Sequence, residues 1–233
     1  MTVTVGIVVF PGSNCEFDVA EAVAGLGGEP RLLWHGDASL APVDAVVLPG
    51  GFAHGDYLRP GAIARFSPIM AAVERFAYDG GPVVGICNGF QVLTEAGLLP
   101  GALRQNRGLK FVCTTVKTRV DSSRSVLTGS VDVGTVLDLP INHFSGAYSC
   151  PPDVLAELRS EERVVLRYVD NPNGSIDDIA GICSRQGNVV GLMPHPERAC
   201  DSLGSLDGQP LWASLLAGPA GLLAEARRGG NSE

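Results

Sequence analysis

The sequence predicts an α/β fold: an open, mostly parallel, doubly wound sheet with helices on both faces and a smaller antiparallel extension in the second half. Three observations predict it. Strand-like and helix-like stretches alternate along the first half of the chain. The strand-like stretches there are short, continuous runs of β-branched and aliphatic residues, which suit a parallel sheet covered on both sides. In the second half, strand-like stretches follow one another across turns with few helices between them.

Taken in order, "VTVGIVVF" (Val3–Phe10) is the first strand, and a stretch around Phe17–Leu26, ending in glycines, is a helix. "PRLLW" (Pro30–Trp34) is the second strand, and "DAVVLPGG" (Asp44–Gly51) contains a third that stops at a double glycine. A helix around Ile63–Tyr78 follows. Then comes "GPVVGICNGFQVL" (Gly81–Leu93), a buried strand running straight into a helix. "LKFVCTTVKTRV", "GTVLDLPI", "ERVVLRYV", "IAGICS" and "NVVGLMP" read as later strands, some forming the antiparallel extension and the last returning to the main sheet. A final helix is expected over Leu211–Ala226, and a frayed tail at about 228–233. With no repeat and no low-complexity linker, residues 1–233 read as a single domain.

A chain of 233 residues that is 45% hydrophobic and 18% charged has ample material for one substantial core. A net charge of -8 argues against a nucleic-acid or anionic-membrane surface, since both need basic clusters. No apolar run approaches the roughly 20 residues that span a bilayer. The N-terminus lacks a basic leader and a cleavage site, so a cytoplasmic location is expected. Six cysteines, at 15, 87, 113, 150, 183 and 200, show no paired spacing. They are expected to be reduced thiols, with no zinc site among them. Asn173-Gly174-Ser175 reads as a turn.

The chemistry is concentrated where strands end, because ligands of such sheets bind beyond the carboxyl ends of the strands. Gly85-Ile86-Cys87-Asn88-Gly89 has the glycine-x-nucleophile-x-glycine form of a nucleophile elbow, with a strand before it and a helix after it. The sharp turn crowds the backbone, and the flanking glycines remove side chains that would clash. Unpaired N–H groups at the helix start favour the reactive thiolate. The N–H of Asn88 is placed to donate to an oxyanion.

Acyl chemistry also needs a proton carrier. Of the four histidines, His195 stands in "VVGLMPHPERAC", just past a strand and hence at the same edge of the sheet. In an extended segment Glu197, two residues on, lies on the same side as the imidazole and can fix its tautomer. "LPGGFAHGDYLRPGAIA" (Leu48–Ala64) also follows a strand, and Gly50-Gly51 can bring backbone N–H groups close to a substrate. His54 and Arg59 in that loop read as structural or partner-facing.

An elbow cysteine, an upstream glycine-rich loop and a late histidine-x-glutamate together resemble the class I, triad-type glutamine amidotransferases. "GICNGFQVLTEAGLLPGAL", "NRGLKFVC", "PGGFAHGDYLRPGAIAR", "NPNGSIDDIAGIC" and "GLMPHPER" are similar, within that class, to the glutaminase subunits of phosphoribosylformylglycinamidine synthase. The resemblance implies that Cys87 attacks the amide carbon of glutamine, that the backbone N–H groups of Gly51 and Asn88 hold the oxyanion, and that His195, oriented by Glu197, moves the protons. It further implies substrate contacts at Gly50, Phe52, Gln91 and His143. Two features depart from the family pattern. "NHFSGAY" (Asn142–Tyr148) stands where a histidine-glycine-glutamate-glycine run is usual, and the connection between "RYVD" and "NPNGS" is short.

The resemblance also implies an ammonia-supplying role in de novo purine biosynthesis. The partners would be an ATP-dependent synthetase subunit, which carries ATP and magnesium, and a small third subunit. The chain itself has no phosphate-loop signature and is expected to bind no cofactor. Three other readings stand beside this one: a glutaminase for another synthetase, a non-catalytic binding subunit on the same fold, and a cysteine hydrolase of the DJ-1-like kind. Against the last, Asn88 stands where those enzymes place a histidine.

Overall fold

The computed structural model describes residues 2–218. The chain enters through strand β1 (Thr4–Val9), helix α1 (Glu16–Gly25), β2 (Glu29–Trp34) and β3 (Ala45–Leu48). It continues through α2 (Pro68–Tyr78), β4 (Val83–Ile86) and α3 (Asn88–Glu95). The second half holds β5 (Ala102–Arg104), β6 (Val112–Val120), β7 (Val136–His143), β8 (Ala147–Ser149) and α4 (Pro152–Ser160). β9 (Val164–Tyr168), β10 (Ile179–Cys183), β11 (Val189–Leu192) and α5 (Gln209–Leu216) complete it.

The strands form one nine-stranded sheet in the order β2-β1-β3-β4-β11-β10-β9-β6-β7, with β5 and β8 paired separately. The first five run parallel, with Val46 beside Val83 and Leu192 beside Ile86. From β11 onward every pairing is antiparallel. The expected antiparallel extension therefore continues the plane of the main sheet, and β11 is the strand that returns to the parallel half. β3, β4 and β11 are buried at every position, as their unbroken aliphatic runs require. The chain order steps outward from β1 to β2 and then back through β3 to β4. With right-handed crossovers, this puts α1 and α2 on opposite faces.

Two expectations change. The helix expected from Ile63 begins only at Pro68, after a 3-10 turn over Ala64–Phe66. Proline lacks an N–H and suits the first helical position, so the chain starts its helix there. Helix α4 stands where no helix was expected. It buries Leu158 alone and is tied down by Arg163, whose buried guanidinium meets Glu157 at 2.7 Å and Glu161 at 3.2 Å. The C-terminal helix is described over Gln209–Leu216; the expectation for residues 219–226 and for the tail at 228–233 falls outside the described residues. Among the described residues, no helix is long and apolar enough to cross a membrane.

Candidate active site

β4 delivers Cys87 to the carboxyl edge of the parallel strands. The Cys87 N–H donates to Leu192 O of β11 at 2.8 Å, and the next residue already begins α3. Between strand and helix, Cys87 takes φ 50 and ψ -102. A non-glycine residue held in such a conformation costs about 1–3 kcal/mol and persists only where its surroundings over-determine it. The elbow read from the sequence forms, and Gly89 shows how. A Cβ on Gly89 would lie 1.9 Å from the carbonyl oxygen of Leu48, so α3 packs backbone to backbone against β3.

β11 brings in the second group. His195 follows it and donates its backbone N–H to Pro140 O of β7 at 2.8 Å. Its ring Nδ1 meets Glu197 Oε1 at 2.5 Å, and both side chains are buried. The extended segment expected here is instead a 3-10 turn over Pro196–Arg198, and that turn folds the carboxylate onto the ring. Burial by itself would lower the proton affinity of His195. The carboxylate of Glu197 and the nearby sulfur of Cys87 outweigh it and hold the ring well above the usual imidazole range. His195 Nε2 is buried with no hydrogen-bond partner, free to take or give a proton on the Cys87 side.

The glycine-rich loop after β3 supplies the opposite wall. Gly51 is bridged to Ser13, but the bridge is closed by Asn14 N–H to Gly50 O (3.3 Å) and by Phe52 N–H to Gly12 O (2.8 Å). The N–H of Gly51 takes no part in it. Asn88, first residue of α3, likewise has an N–H with no partner inside the helix. Gly50 does not line the cavity. A Cβ there would meet His195 Cε1 at 2.6 Å and Cys15 Sγ at 2.9 Å. The missing side chain of Gly50 leaves room for the imidazole.

Gly51, Phe52, Cys87, Gln91, His143 and Asn173 line one cavity of about 890 Å³. Two polar clusters shape it. In the first, the Asn88 side chain accepts from Ala53 N–H at 3.0 Å and donates to Asp56 at 3.3 Å and Gln91 at 2.9 Å. Gln91 in turn donates to Ser145 O at 2.6 Å. One chain of bonds thus ties the glycine loop to the elbow helix and to the loop after β7. It also anchors strained backbone, since His54, Asp56 and Leu58 all have positive φ. Burial raises the Asp56 carboxyl to about 6, against the lowering effect of the Asn88 amide. His54 lies 3.4 Å from Ser67 Oγ and Arg59 pairs with Glu95.

In the second cluster, Asn106 donates to Lys110 O and His143 O, at 3.0 and 2.9 Å. Its Oδ1 therefore faces Gly146 N–H and His143 Nδ1, each at 3.1 Å. Those contacts put the His143 proton on Nδ1 and leave Nε2 a bare acceptor, buried without a partner. Burial, then the charge of His195, lower His143 to about 4, so it is neutral at physiological pH. Asn106, Asn173 and Asp56 were not singled out from the sequence. "NPNGS" carried a turn and part of the family resemblance but no role for Asn173, whose Nδ2 donates to Gly146 O at 2.9 Å beside the cavity.

Residues 2–207 match the model of the CobB/CobQ-like glutamine amidotransferase domain. Phosphoribosylformylglycinamidine synthase subunit PurQ of Rubrobacter xylanophilus is 60% identical over 215 residues, 92% of this chain and 98% of that protein. This chain belongs to the PurQ family. A Synechococcus PurQ is 54% identical, covering 91% of this chain and 95% of its own length. Among solved structures, PurLQS from Thermotoga maritima superposes with a TM-score of 0.86 at 42% identity, covering 93% of this chain and 99% of that one. Another glutamine amidotransferase from Thermotoga maritima is similar at a TM-score of 0.56 and 16% identity, covering 100% of this chain and 87% of that one, a likeness of fold alone.

Proposed function

We propose that this chain is the glutaminase subunit of phosphoribosylformylglycinamidine synthase and releases ammonia from glutamine through a thioester on Cys87. One observation carries the residue assignment: His195 is locked by Glu197 at Nδ1, while its Nε2 is buried, unpartnered and near enough to Cys87 for that sulfur to raise the proton affinity of the ring. That is a nucleophile, base and orienter arrangement.

The Cys87 thiol gives its proton to His195 Nε2, and the sulfur bonds to the amide carbon of glutamine. The N–H groups of Gly51 and Asn88 receive the oxyanion, an effect worth about 2.7–4 kcal/mol per donor in comparable sites. His195 then protonates the departing nitrogen, the C–N bond breaks, and ammonia leaves a glutamyl thioester. Water attacks the thioester with His195 as base, releasing glutamate and restoring the thiol. Gln91, Phe52 and His143 border the bound glutamine. The partners in this reading are a synthetase subunit, as the PurLQS assembly of the related structure suggests, and a small third subunit. ATP and magnesium belong to the synthetase, and glutamine is the substrate here.

Ammonia release is measured for the wild type and Cys87→Ala, alone and with the synthetase partner and its substrates. Release that depends on Cys87 and rises in the assembled complex is expected. Release unaffected by Cys87→Ala overturns the assignment.

A further inference from the structure

Cys15 is a buried thiol that the mechanism above does not use, and it stands on the side of His195 away from the free Nε2. Its Sγ lies 4.0 Å from His195 Nδ1. The donor atoms of Cys15, His195 and Glu197 all fall within 4.8 Å of one another. Glu197 spends Oε1 on the ring, while its Oε2 is buried with no hydrogen-bond partner. We propose that Cys15, His195 and Glu197 form a binding site for a thiophilic divalent cation of the zinc type, and that its occupancy switches the glutaminase off. The binding half stands on geometry; only its inhibitory consequence rests on the function proposed above.

A thiolate, an imidazole and a carboxylate are the donors such a cation takes in tetrahedral sites, at about 2.3 Å from sulfur and 2.0–2.2 Å from nitrogen and oxygen. Those lengths set the donors about 3.3–3.6 Å apart. The present distances, 4.0 Å from sulfur to nitrogen and 2.5 Å from nitrogen to oxygen, bracket that range, and all three donors lie within 4.8 Å, so side-chain shifts on the order of 1 Å are enough. Asn14 Oδ1, 3.1 Å from the sulfur, is the nearest further oxygen donor. Burial pushes the Cys15 thiol up, and Arg198 Nη2, 3.2 Å from the same sulfur, works against that only in part; the charge of Arg198 is met by Asp18 at 2.9 Å.

A route to the sulfur that avoids glutamine would pass Arg198. Arg198 lines a second cavity, of about 780 Å³, together with Asp138, Asp170, Asp207 and Lys117. Lys117 pairs with Asp138 at 2.9 Å, so Asp170 and Asp207 are the carboxylates left to draw a cation to that mouth, and Arg198 is the side chain that must swing aside. On binding, the Cys15 thiol proton and the proton that His195 Nδ1 shares with Glu197 both go to solvent, and the cation takes Nδ1. A neutral ring must then carry its single proton on Nε2, where it can no longer accept one from Cys87. Glu197 is withdrawn from its orienting role in the same event.

The test begins with binding. Cadmium is titrated into a Cys87→Ala, Cys113→Ser background, which removes the nucleophile and the exposed thiol, and thiolate-to-cadmium absorption is followed in the ultraviolet. One tight equivalent is expected, lost when Cys15→Ser is added. Cys15→Ala serves as a second probe if the serine variant folds poorly. A band unaltered by either substitution overturns the proposal. The second arm titrates zinc against glutaminase activity in the assembled complex. Inhibition is expected to lower kcat without competing with glutamine, to reverse with chelator, and to weaken by roughly tenfold or more in Cys15→Ser relative to its own uninhibited rate. Inhibition competitive with glutamine, or equally potent without Cys15, places the cation at Cys87 and overturns the switch. Absence of all glutaminase activity with an intact cadmium band would fail the functional reading and leave the binding site standing.

Discussion

Gly89→Ala tests whether the backbone contact between α3 and β3 sets the geometry of catalysis. The added methyl would stand 1.9 Å from the Leu48 carbonyl oxygen and 2.7 Å from its carbon, against ordinary contacts beyond about 3.3 Å. No flexible side-chain end can yield there, so the helix must withdraw from the strand by about 1 Å or more. Forcing a methyl into a packed interior costs typically 1–3 kcal/mol. For a domain of this size that is a fall in Tm of about 2–12 °C. The shift also acts on the site. Leu48 leads through Pro49 to Gly50-Gly51, and Gly89 follows Asn88, so the two proposed oxyanion donors separate. A misplacement of about 1 Å costs on the order of 10²-fold in rate. Thermal unfolding and steady-state glutaminase kinetics in the complex measure both effects. A folded variant with kcat reduced roughly 100-fold and KM little changed is expected. A variant with wild-type Tm and kcat would refute the reasoning, since the contact would then set neither packing nor chemistry.

Replacing Glu197 by Gln keeps an acceptor for Nδ1 but removes the charge that supports the imidazolium. The expected loss in kcat is roughly 10²- to 10⁴-fold with the fold intact by circular dichroism, and a loss below fivefold would contradict an orienting carboxylate. Asp56 titrates at about 6 in the folded chain, above its unfolded value, so its contribution to stability is complete at low pH and is lost as pH rises through 6. Asp56→Asn, which also tolerates the positive φ, should therefore gain Tm on the wild type more at pH 8 than at pH 4. A pH-independent difference would show that Asp56 does not titrate there. Asn106→Ala strands the Gly146 N–H and the His143 ring, each at a cost of about 1–3 kcal/mol. Urea unfolding should report that loss, along with a raised KM for glutamine; an unchanged midpoint would mean that water replaces the amide. His143 is expected to stay neutral down to about pH 4 in a histidine NMR titration, and a ring titrating near 6.5 would place it in solvent.

What was legible in the sequence was local. The buried strands announced themselves as aliphatic runs because a strand covered on both faces has no polar side to alternate with. The elbow was readable because glycine-x-cysteine-x-glycine between a strand and a helix is a short-range pattern with a steric cause, and Cys87 at φ 50 bears it out. Helix α4 was missed because it mixes polar and apolar residues and buries Leu158 alone; Arg163 outside the helix ties it down. The start of α2 was misplaced because apolar spacing continues through Ile63–Phe66, where the backbone makes a 3-10 turn before Pro68.

The sequence by itself determined the strand and helix alternation, the nucleophile on its turn and the histidine-x-glutamate past the last parallel strand, since each is specified by neighbours a few residues apart. Only the tertiary structure decided which of the six cysteines meets His195 from behind, because Cys15 and His195 are 180 residues apart and no spacing rule links them. It likewise turned Gly50 into clearance for a ring, and joined Asp56, Asn88, Gln91 and Ser145 into one hydrogen-bonded chain. Burial and partnering belong to the packed sheet, where strands distant in the chain lie side by side, and side-chain chemistry changes only once water has been removed from around it.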